Sequence, residues 1–378
     1  MTDLQLLLVL LVAFYLWECA QWIRRPGVVF RSWLGAAYQL AHPAGTLSNR
    51  LGGFIFAMPI PGLGATFAVQ WPPILLTRDA LIAHLDPLDL SDGALPSATA
   101  RVPIEQLERI EAKRHVVWVN GRKFAAAGSN AATQTLAAFI KELKASKPAA
   151  REPLIEKWLQ QSLDDKLAAE RINEWQVAVG RLGFVCGIEF ALVVFAGGWL
   201  GLGLSLREVW VWFVGALVII NWIATVKFAR AHRRLFPDAL EERIQHTTMM
   251  ALFPLATIRA VDVLSRPLLE KFHPLAVGLH LLGRDAFEQL AQRQLRRVRL
   301  WMSEAPTEDQ PYFRQLEDAV VRFLRTAKVA VEKSLVTPPA SDPNCRSFCP
   351  RCGSQFTFAT GPCKDCGTIQ VQPLASVR

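Results

Sequence analysis

Cysteine is almost absent from the first 344 residues of this sequence, which limits how the chain can be held together. Only Cys19 and Cys186 occur there, both within apolar runs, whereas five of the seven cysteines lie between Cys345 and Cys366. Secreted domains stapled by disulfides carry their cysteines throughout the fold. The distribution therefore excludes a disulfide framework, indicates a reducing compartment, and marks the tail as a metal site.

The fingerprints of several enzyme classes are also missing. The chain has no Gly-x-x-x-x-Gly-Lys phosphate loop, no dinucleotide-binding glycine pattern, no His-Glu-x-x-His motif and no Gly-x-Ser-x-Gly motif. These motifs carry nucleotide binding, zinc proteolysis and serine hydrolysis. Their absence disfavours those activities, although an enzyme with an unfamiliar site stays open.

Long apolar runs are abundant instead. Three of them cover Leu4–Ile23, Leu182–Leu206 and Val209–Phe228, and Arg207-Glu208 separates the last two. Each exceeds the roughly 18–20 residues that a helix needs to cross a bilayer. We therefore expect three transmembrane helices: an uncleaved N-terminal anchor (residues 1–25) and a hairpin (182–228).

Basic residues predict how these spans are oriented. No Lys or Arg precedes the first run, and Arg24 and Arg25 follow it, whereas the short turn of the hairpin carries only Arg207. Positive charge concentrates on the cytoplasmic side of membrane proteins. The pattern predicts an inner (cytoplasmic) membrane protein with its N-terminus outside and its soluble segments and C-terminus in the cytoplasm. Because arginines that flank the spans contribute to the net charge of +9, that charge does not require nucleic acid as a partner.

The first soluble segment, residues 26–150, has the pattern of a β-rich domain. Short β-prone runs precede Asn120-Gly121, which is a strong hairpin signal between two strands. An amphipathic helix over Ala131–Lys144 closes the segment. From about Gly53 to Ala145, this order resembles the pleckstrin-homology-like (PH-like) domains of bacterial membrane proteins. The resemblance implies a scaffold for protein or lipid contacts, and the alternative is an unrelated α+β domain.

Two further segments are predicted to be helical. Residues 151–181 form a connecting helix that leads into the second span, and residues 229–335 form a cytosolic helical domain. Within this domain, Phe313–Lys333 repeats apolar residues at helical spacing. The basic amphipathic stretch Arg284–Met302 fits either a helix lying on anionic lipid or a solvated face of the bundle.

Two polar residues interrupt the predicted membrane hairpin. Glu189 and Asn221 are expected at similar depths, about 12 Å and 10 Å from the basic ends of their spans at 1.5 Å per residue. An intramembrane acid is a functional candidate, because burying its charge is costly. The favoured interpretation is structural: a neutral Glu189 hydrogen-bonded to Asn221 would hold the hairpin together.

The helical domain also contains possible metal ligands. Glu242 and His246 are four residues apart, and Glu270 and His273 are three residues apart. Two Glu-x-x-His pairs with two further glutamates hold di-iron centres in helical bundles. Only Glu270 and His273 fit that spacing, and Pro274 follows at once, so a metalloenzyme is the minor alternative.

The tail carries the most specific pattern in the chain. A linker at residues 336–347 leads to Cys349-Pro-Arg-Cys352-Gly and Cys363-Lys-Asp-Cys366-Gly, whose ligand spacing lets each cysteine pair reach one ion. Residues 348–372 resemble the short zinc ribbons of many bacterial proteins. This implies a structural Zn²⁺ held by Cys349, Cys352, Cys363 and Cys366, with Cys345 left over.

Together these features predict an α+β membrane protein that acts as a non-enzymatic adaptor. Three spans would anchor a PH-like domain, a helical domain and a zinc ribbon, which would bind a cytosolic or membrane protein partner. Beside the metalloenzyme, nucleic-acid binding by the ribbon stays as a disfavoured alternative. It would use Arg346, Arg351 and Lys364.

Overall fold

A computed structural model describes most of the chain. The described residues are 3–23, 27–30, 38–41, 53–56, 67–70, 74–84, 99–113, 116–126, 130–201, 209–253, 256–257, 260–269, 271–304, 307–330, 337, 340, 342–350, 354–364 and 370–374. The fold is mostly helical, with a few small antiparallel sheets. Two of its helices are long and apolar enough to cross a membrane.

The first apolar run is shorter as a helix than its sequence predicts. Helix α1 covers Asp3–Cys19, and strand β1, Ala20–Ile23, follows directly. The 17 residues of α1 extend about 26 Å at 1.5 Å per residue, less than the roughly 30 Å of a bilayer core. The last four residues of the predicted span belong to a strand, so three spans are not confirmed.

Short strands make up the segment that follows. They are β2 (Gly27–Phe30), β3 (Tyr38–Ala41), β4 (Gly53–Phe56), β5 (Phe67–Gln70), β6 (Ile74–Leu76), β7 (Ala80–His84), β8 (Thr99–Pro103), β9 (Ile110–Lys113), β10 (Val116–Val119) and β11 (Arg122–Ala126). β1 pairs with β4, and three antiparallel sheets have the orders β3-β2-β5, β6-β7-β8 and β11-β10-β9. Between β8 and β9, Ile104–Gln106 forms a 3-10 turn where the sequence predicts a strand.

The predicted hairpin and closing helix are both confirmed. Asn120 and Gly121 have φ values of 51° and 78°, the left-handed pair that a tight hairpin turn requires. Helix α2, Asn130–Ala145, then covers the sheets. Its residues Leu136, Ala137 and Ile140 share a buried core with strands β7, β9, β10 and β11. These sheets and one helix do not establish a PH-like domain.

The later part of the predicted connecting helix, from Asp165, and the second span form one continuous rod. Helix α3, Pro148–Ser162, ends before Asp164, whose side chain accepts a hydrogen bond from the Leu167 backbone at 3.0 Å and caps α4. Helix α4, Asp165–Ala191, continues through a π-helical segment, Leu192–Gly197, into α5, Gly198–Gly201. Helix α6, Val209–Leu235, packs against α4. The predicted turn at Arg207-Glu208 lies outside the described residues.

The remaining helices pack around this pair. They are α7 (Leu240–Leu252), α8 (Ala260–Leu269), α9 (Pro274–Leu281), α10 (Arg284–Glu304) and α11 (Gln310–Thr326). One apolar core joins the first half of α4, the end of α6 and helices α8 to α11. The predicted helix Phe313–Lys333 ends earlier, at Thr326, and Lys328 has a φ of 57°. The basic helix α10 packs on α11, where Arg299 pairs with Glu317 at 2.6 Å.

A small sheet organises the tail. Strands β12 (Ser347–Phe348), β13 (Gln355–Phe356) and β14 (Gln372–Pro373) form an antiparallel sheet in the order β13-β12-β14. Of the predicted linker, residues 336, 338, 339 and 341 lie outside the described residues, and Ser347 at its end belongs to β12.

One ion pair fastens the β-rich segment to the helical core. Arg101 in β8 donates from Nη1 to both carboxylate oxygens of Asp309, at 2.8 and 2.7 Å. The Asp309 side chain is only 5% exposed, whereas Glu308, which also contacts Arg101, is 66% exposed. The Arg78 backbone N–H donates to the Tyr312 hydroxyl beside this pair.

We expect Arg101→Met to destabilise the protein by about 1–3 kcal/mol, because it leaves the buried Asp309 carboxylate without its cation. Glu308→Gln is the matched control and should change the free energy of unfolding by less than about 0.5 kcal/mol, since its partner contact is exposed to water. Denaturant unfolding of both variants in detergent provides the measurement. Equal effects of the two substitutions would contradict a structural role for the buried pair.

Candidate metal centre and buried polar residues

The two described cysteines of the predicted metal site lie together. Cys349 follows β12, and Cys363 directly follows Pro362, which forms a bridge with Gln370. They are 0% and 1% exposed and belong to one buried cluster with Val371. Thiols from the two Cys-x-x-Cys pairs are thus brought together, although Cys352 and Cys366 lie outside the described residues.

Two backbone hydrogen bonds lie beside these cysteines. The Cys349 N–H donates to the Ser354 carbonyl at 2.8 Å, and the Val371 N–H donates to the Gly361 carbonyl at 2.9 Å. Among the described residues, the core around the cysteines consists of Val371 and the partly buried Phe356 and Phe358. Two buried thiols in so small a core fit a thiolate-bound zinc ion, whose binding would stabilise the fold.

The residues proposed for nucleic-acid contact are not brought together by what is described. Arg346 is exposed at the start of the small sheet, and the Lys364 ammonium lies 5.9 Å from the centre of the Phe358 ring. Arg351 lies outside the described residues. The geometry adds no support for this alternative.

Glu189 and Asn221 are both buried, at 0% and 4% exposure, but they do not bond to each other. Asn221 donates from Nδ2 to the carbonyl oxygen of Met250 at 3.2 Å, with Ala251 at 3.5 Å. The hydroxyl of Thr257 lies beside the Glu189 carboxyl group. The predicted Glu189–Asn221 hydrogen bond is therefore replaced by contacts of Asn221 to the last turn of α7 and of Glu189 to Thr257, which lies between α7 and α8.

Helices α7 and α8 form a helical hairpin that folds back along α4 and α6. His246 in α7 lies 6.2 Å from Phe228 and 6.4 Å from His232, between ring centres. Met250, one turn further along α7, lies at Asn221, so α7 runs antiparallel to α6. Val261 in α8 approaches Gly183 of α4. The tip of this hairpin consequently reaches the level of Asn221.

The same packing buries several polar side chains that the sequence reasoning missed. Within the part of the chain that is described, a group of six polar residues at the contacts of α4, α6 and α7 buries side-chain N or O atoms. We call them the polar tract: Glu189, Asn221, Thr225, His232, Arg243 and Thr247. A periodic signal was present in α6, where positions 221, 225 and 232 fall on one helical face.

The surfaces of these helices are apolar, in contrast to their interior. Phe195, Val211 and Trp212 are 71%, 76% and 79% exposed. On the α7–α8 hairpin, Leu252 and Phe253 are 67% and 54% exposed. Large apolar residues therefore face outward while polar residues face inward.

The four residues of the metalloenzyme alternative have different surroundings. His246 contacts α6, whereas His273 is 1% exposed at the start of α9. The His273 Nδ1 atom accepts a hydrogen bond from the Leu275 N–H at 3.1 Å. The backbone N–H of His273 donates to the Ser162 carbonyl. Burial lowers the pKa of His273 to about 3. Its neutral ring caps a helix.

The two glutamates of this alternative do not complete a metal centre among the described residues. Glu242 is partly buried on α7, and Glu270 lies outside the described residues. Among residues with described positions, no three His, Cys, Asp or Glu side chains are grouped closely enough to hold a metal ion.

Comparison with known proteins adds no assignment to this geometry. The chain matches no family model, no curated protein and no solved structure.

If the tail binds zinc through two cysteine pairs, each pair is indispensable. We expect about one zinc ion per chain in the wild-type protein and none after Cys352→Ser or Cys366→Ser. Cys345→Ser is the matched control in the same tail and should retain the metal. Elemental analysis of purified protein by mass spectrometry decides this, and equal loss from all three variants would refute the four-ligand assignment.

His273 should make the protein sensitive to acid. Its pKa is about 3 in the folded chain and 6.5 when unperturbed, so the unfolded state binds the additional proton between these values. Stability from the neutral ring is complete above pH 6.5 and declines as the pH falls. We expect His273→Asn, which retains a capping group, to lose less stability than wild type upon acidification.

Chemical denaturation at pH 7 and at mildly acidic pH measures this difference. The exposed His280 provides the control, because His280→Asn should lose stability in parallel with wild type. Parallel loss by His273→Asn as well would show that the His273 ring does not stay neutral in the fold.

Proposed function

We propose that this protein is a membrane-anchored, non-enzymatic adaptor that presents a structural zinc ribbon to a protein partner. The observation that supports the membrane anchor is the reversal of polarity in α4 and α6. In the most apolar 18-residue window of each helix, only 39% of the residues are buried in α4 with its continuation and 22% in α6. The core helices of a soluble protein would be mostly buried, whereas helices in lipid expose apolar side chains and bury polar ones.

Helix α1 extends the apolar surface of the anchor. A Cβ atom at Gly197 would lie 3.1 Å from Leu8 of α1, so the missing side chain allows the two helices to approach closely. Tyr15 stacks near Phe190 further along the pair, at 5.8 Å between ring centres. These contacts make α1 antiparallel to α4, which agrees with an N-terminus on the side of the turn between α5 and α6.

The α7–α8 hairpin belongs to this anchor in our proposal. Its exposed Leu252 and Phe253 continue the apolar surface of α4 and α6, and the contact of Asn221 with Met250 gives their depth. The hairpin would enter the bilayer from one side without crossing it. Basic residues in the last turn of α6, such as the exposed Arg233 and Arg234, support our proposal that this side is cytoplasmic at an inner membrane.

The cysteine cluster supports an adaptor function for the tail. Four thiolates around zinc leave no position for water or substrate, so such a site stabilises a fold and does not catalyse a reaction. The ribbon surface is then the functional part. A PH-like arrangement of β6 to β11 with α2 would provide a second contact surface for protein or lipid.

Purification in mild detergent tests the adaptor. We expect a protein partner to copurify with the wild type and with Cys345→Ser, but not with Cys352→Ser, because only the last variant loses the metal-stabilised fold. All three proteins should stay in the membrane fraction, since their helices are unchanged. Copurifying proteins are identified and quantified by mass spectrometry beside zinc.

Two outcomes would contradict this function. A partner retained by the zinc-free variant would remove the ribbon from the contact. A second bound metal, such as iron, that depends on Glu242 or His246 would favour the metalloenzyme instead.

A further inference from the structure

Polar side chains line the contact between α6 and α7 as a stripe on both sides of the buried Phe228 ring. On α6 the stripe consists of Asn221, Thr225 and His232, which are 4%, 2% and 2% exposed. On α7, Arg243 and Thr247 are one turn apart and contribute buried atoms. The contacts of Asn221 with Met250 and of His232 with His246 place these two faces opposite each other.

The buried atoms of this stripe lack protein partners among the described residues. They are Asn221 Oδ1, Thr225 Oγ1, His232 Nδ1, Arg243 Nη1 and Thr247 Oγ1, whereas the Glu189 carboxyl group lies beside the Thr257 hydroxyl. Buried polar atoms in native proteins are almost always hydrogen-bonded to protein or to ordered water. So many in one interface point to water as their common partner.

Glu189 lies at the deep end of the stripe. Cys186, one turn before Glu189, and Met250, the partner of Asn221, belong to the same buried cluster. Thr257 faces the carboxyl group from the tip of the α7–α8 hairpin. Glu189 and Asn221 thus both lie beside the tip of the hairpin, the acid at Thr257 and the amide at Met250 and Ala251.

The two ends of the stripe differ in character. From Asn221 to His232 it extends about 16 Å along α6 at 1.5 Å per residue. At the His232 end, His246 and Arg243 are partly exposed, and Arg233 and Arg234 are fully exposed. Beyond Glu189, in contrast, the contacts of α4 with α1 and α6 are made by apolar clusters that include Phe190, Val193, Leu200 and Phe213.

We propose that the polar tract holds a chain of water molecules and that Glu189 is a proton-binding site reached through it from one side only. Protonation forms an O–H bond on one Glu189 carboxyl oxygen as a neighbouring hydronium ion loses a proton and becomes water. Deprotonation reverses these steps along the same path. The apolar clusters beyond Glu189 prevent transfer to the opposite side.

The charged and titratable groups along this path are few. Cys186 lies on the same helix as Glu189, and Thr257 is the facing group on the hairpin. His232 on α6 and His246 and Arg243 on α7 follow toward solvent. This inference rests on the membrane placement proposed for α4 and α6 but is independent of the ribbon and its partner.

Infrared spectroscopy of the full-length protein in lipid nanodiscs tests the site. The C=O stretch of a protonated carboxyl group shifts when its proton is replaced by deuterium. The band of Glu189 is identified as the one missing from Glu189→Gln. We expect this band in wild type at acidic pH, its loss as the pH rises, and its immediate shift when H2O buffer is exchanged for D2O.

Variants then test the path. Thr225→Val combined with Thr247→Val removes two hydroxyl groups at nearly constant volume and should slow the deuterium exchange of Glu189 at least about tenfold, as the loss of a hydrogen-bonding step would. Thr225→Ser with Thr247→Ser should restore wild-type exchange. Ile219→Val, on the exposed face of α6, is the matched control and should leave the exchange rate unchanged.

Three results would overturn the proposal. The first is a Glu189 band that does not shift in D2O although the amides outside the proposed spans exchange. The second is deuterium exchange of Glu189 that is as fast in the double valine variant as in wild type. The third is a Glu189 band that moves when NaCl is added at constant pH. The last would indicate a bound cation. Extraction of the protein without detergent would instead refute the membrane placement.

Discussion

The end of helix α7 creates a constraint that the other helices must satisfy. The last carbonyl groups of a helix have no partner within it, and those of Met250 and Ala251 in α7 lie beside α6. The side chain of Asn221 donates to the carbonyls of Met250 and Ala251. A single amide on α6 therefore fixes how far the α7–α8 hairpin extends along the long helices, and with it the position of the segment beside Glu189.

The distribution of polarity follows from that arrangement. With the hairpin in place, polar side chains of α6 and α7 face one another, while leucine, valine and aromatic side chains cover the outside. In water this distribution would expose apolar surface and bury polar groups, both at a cost. In a bilayer the outer surface has no such cost. The polar interior and the apolar exterior thus have one common explanation.

Sequence patterns predicted local elements better than the contacts between them. The turn at Asn120-Gly121 and the helix after it were predictable because φ values above zero and helical periodicity are encoded locally. The break before Asp164 was missed because a capping side chain interrupts an otherwise continuous apolar stripe. The partners of Glu189 and Asn221 could not be predicted, since the contacting groups include backbone carbonyls more than twenty residues away, and a carbonyl leaves no mark in sequence.

The length of α1 has a consequence for the surrounding lipid. At 17 residues it is ten residues shorter than α6, which has 27. Helices of unequal apolar length impose hydrophobic mismatch, and a bilayer adapts by thinning near the shorter one. Because α1 packs through Gly197 against the π-helical segment that follows α4, the thinning would be confined to one flank of the protein. A membrane of smaller hydrocarbon thickness would accommodate the proposed anchor with less distortion.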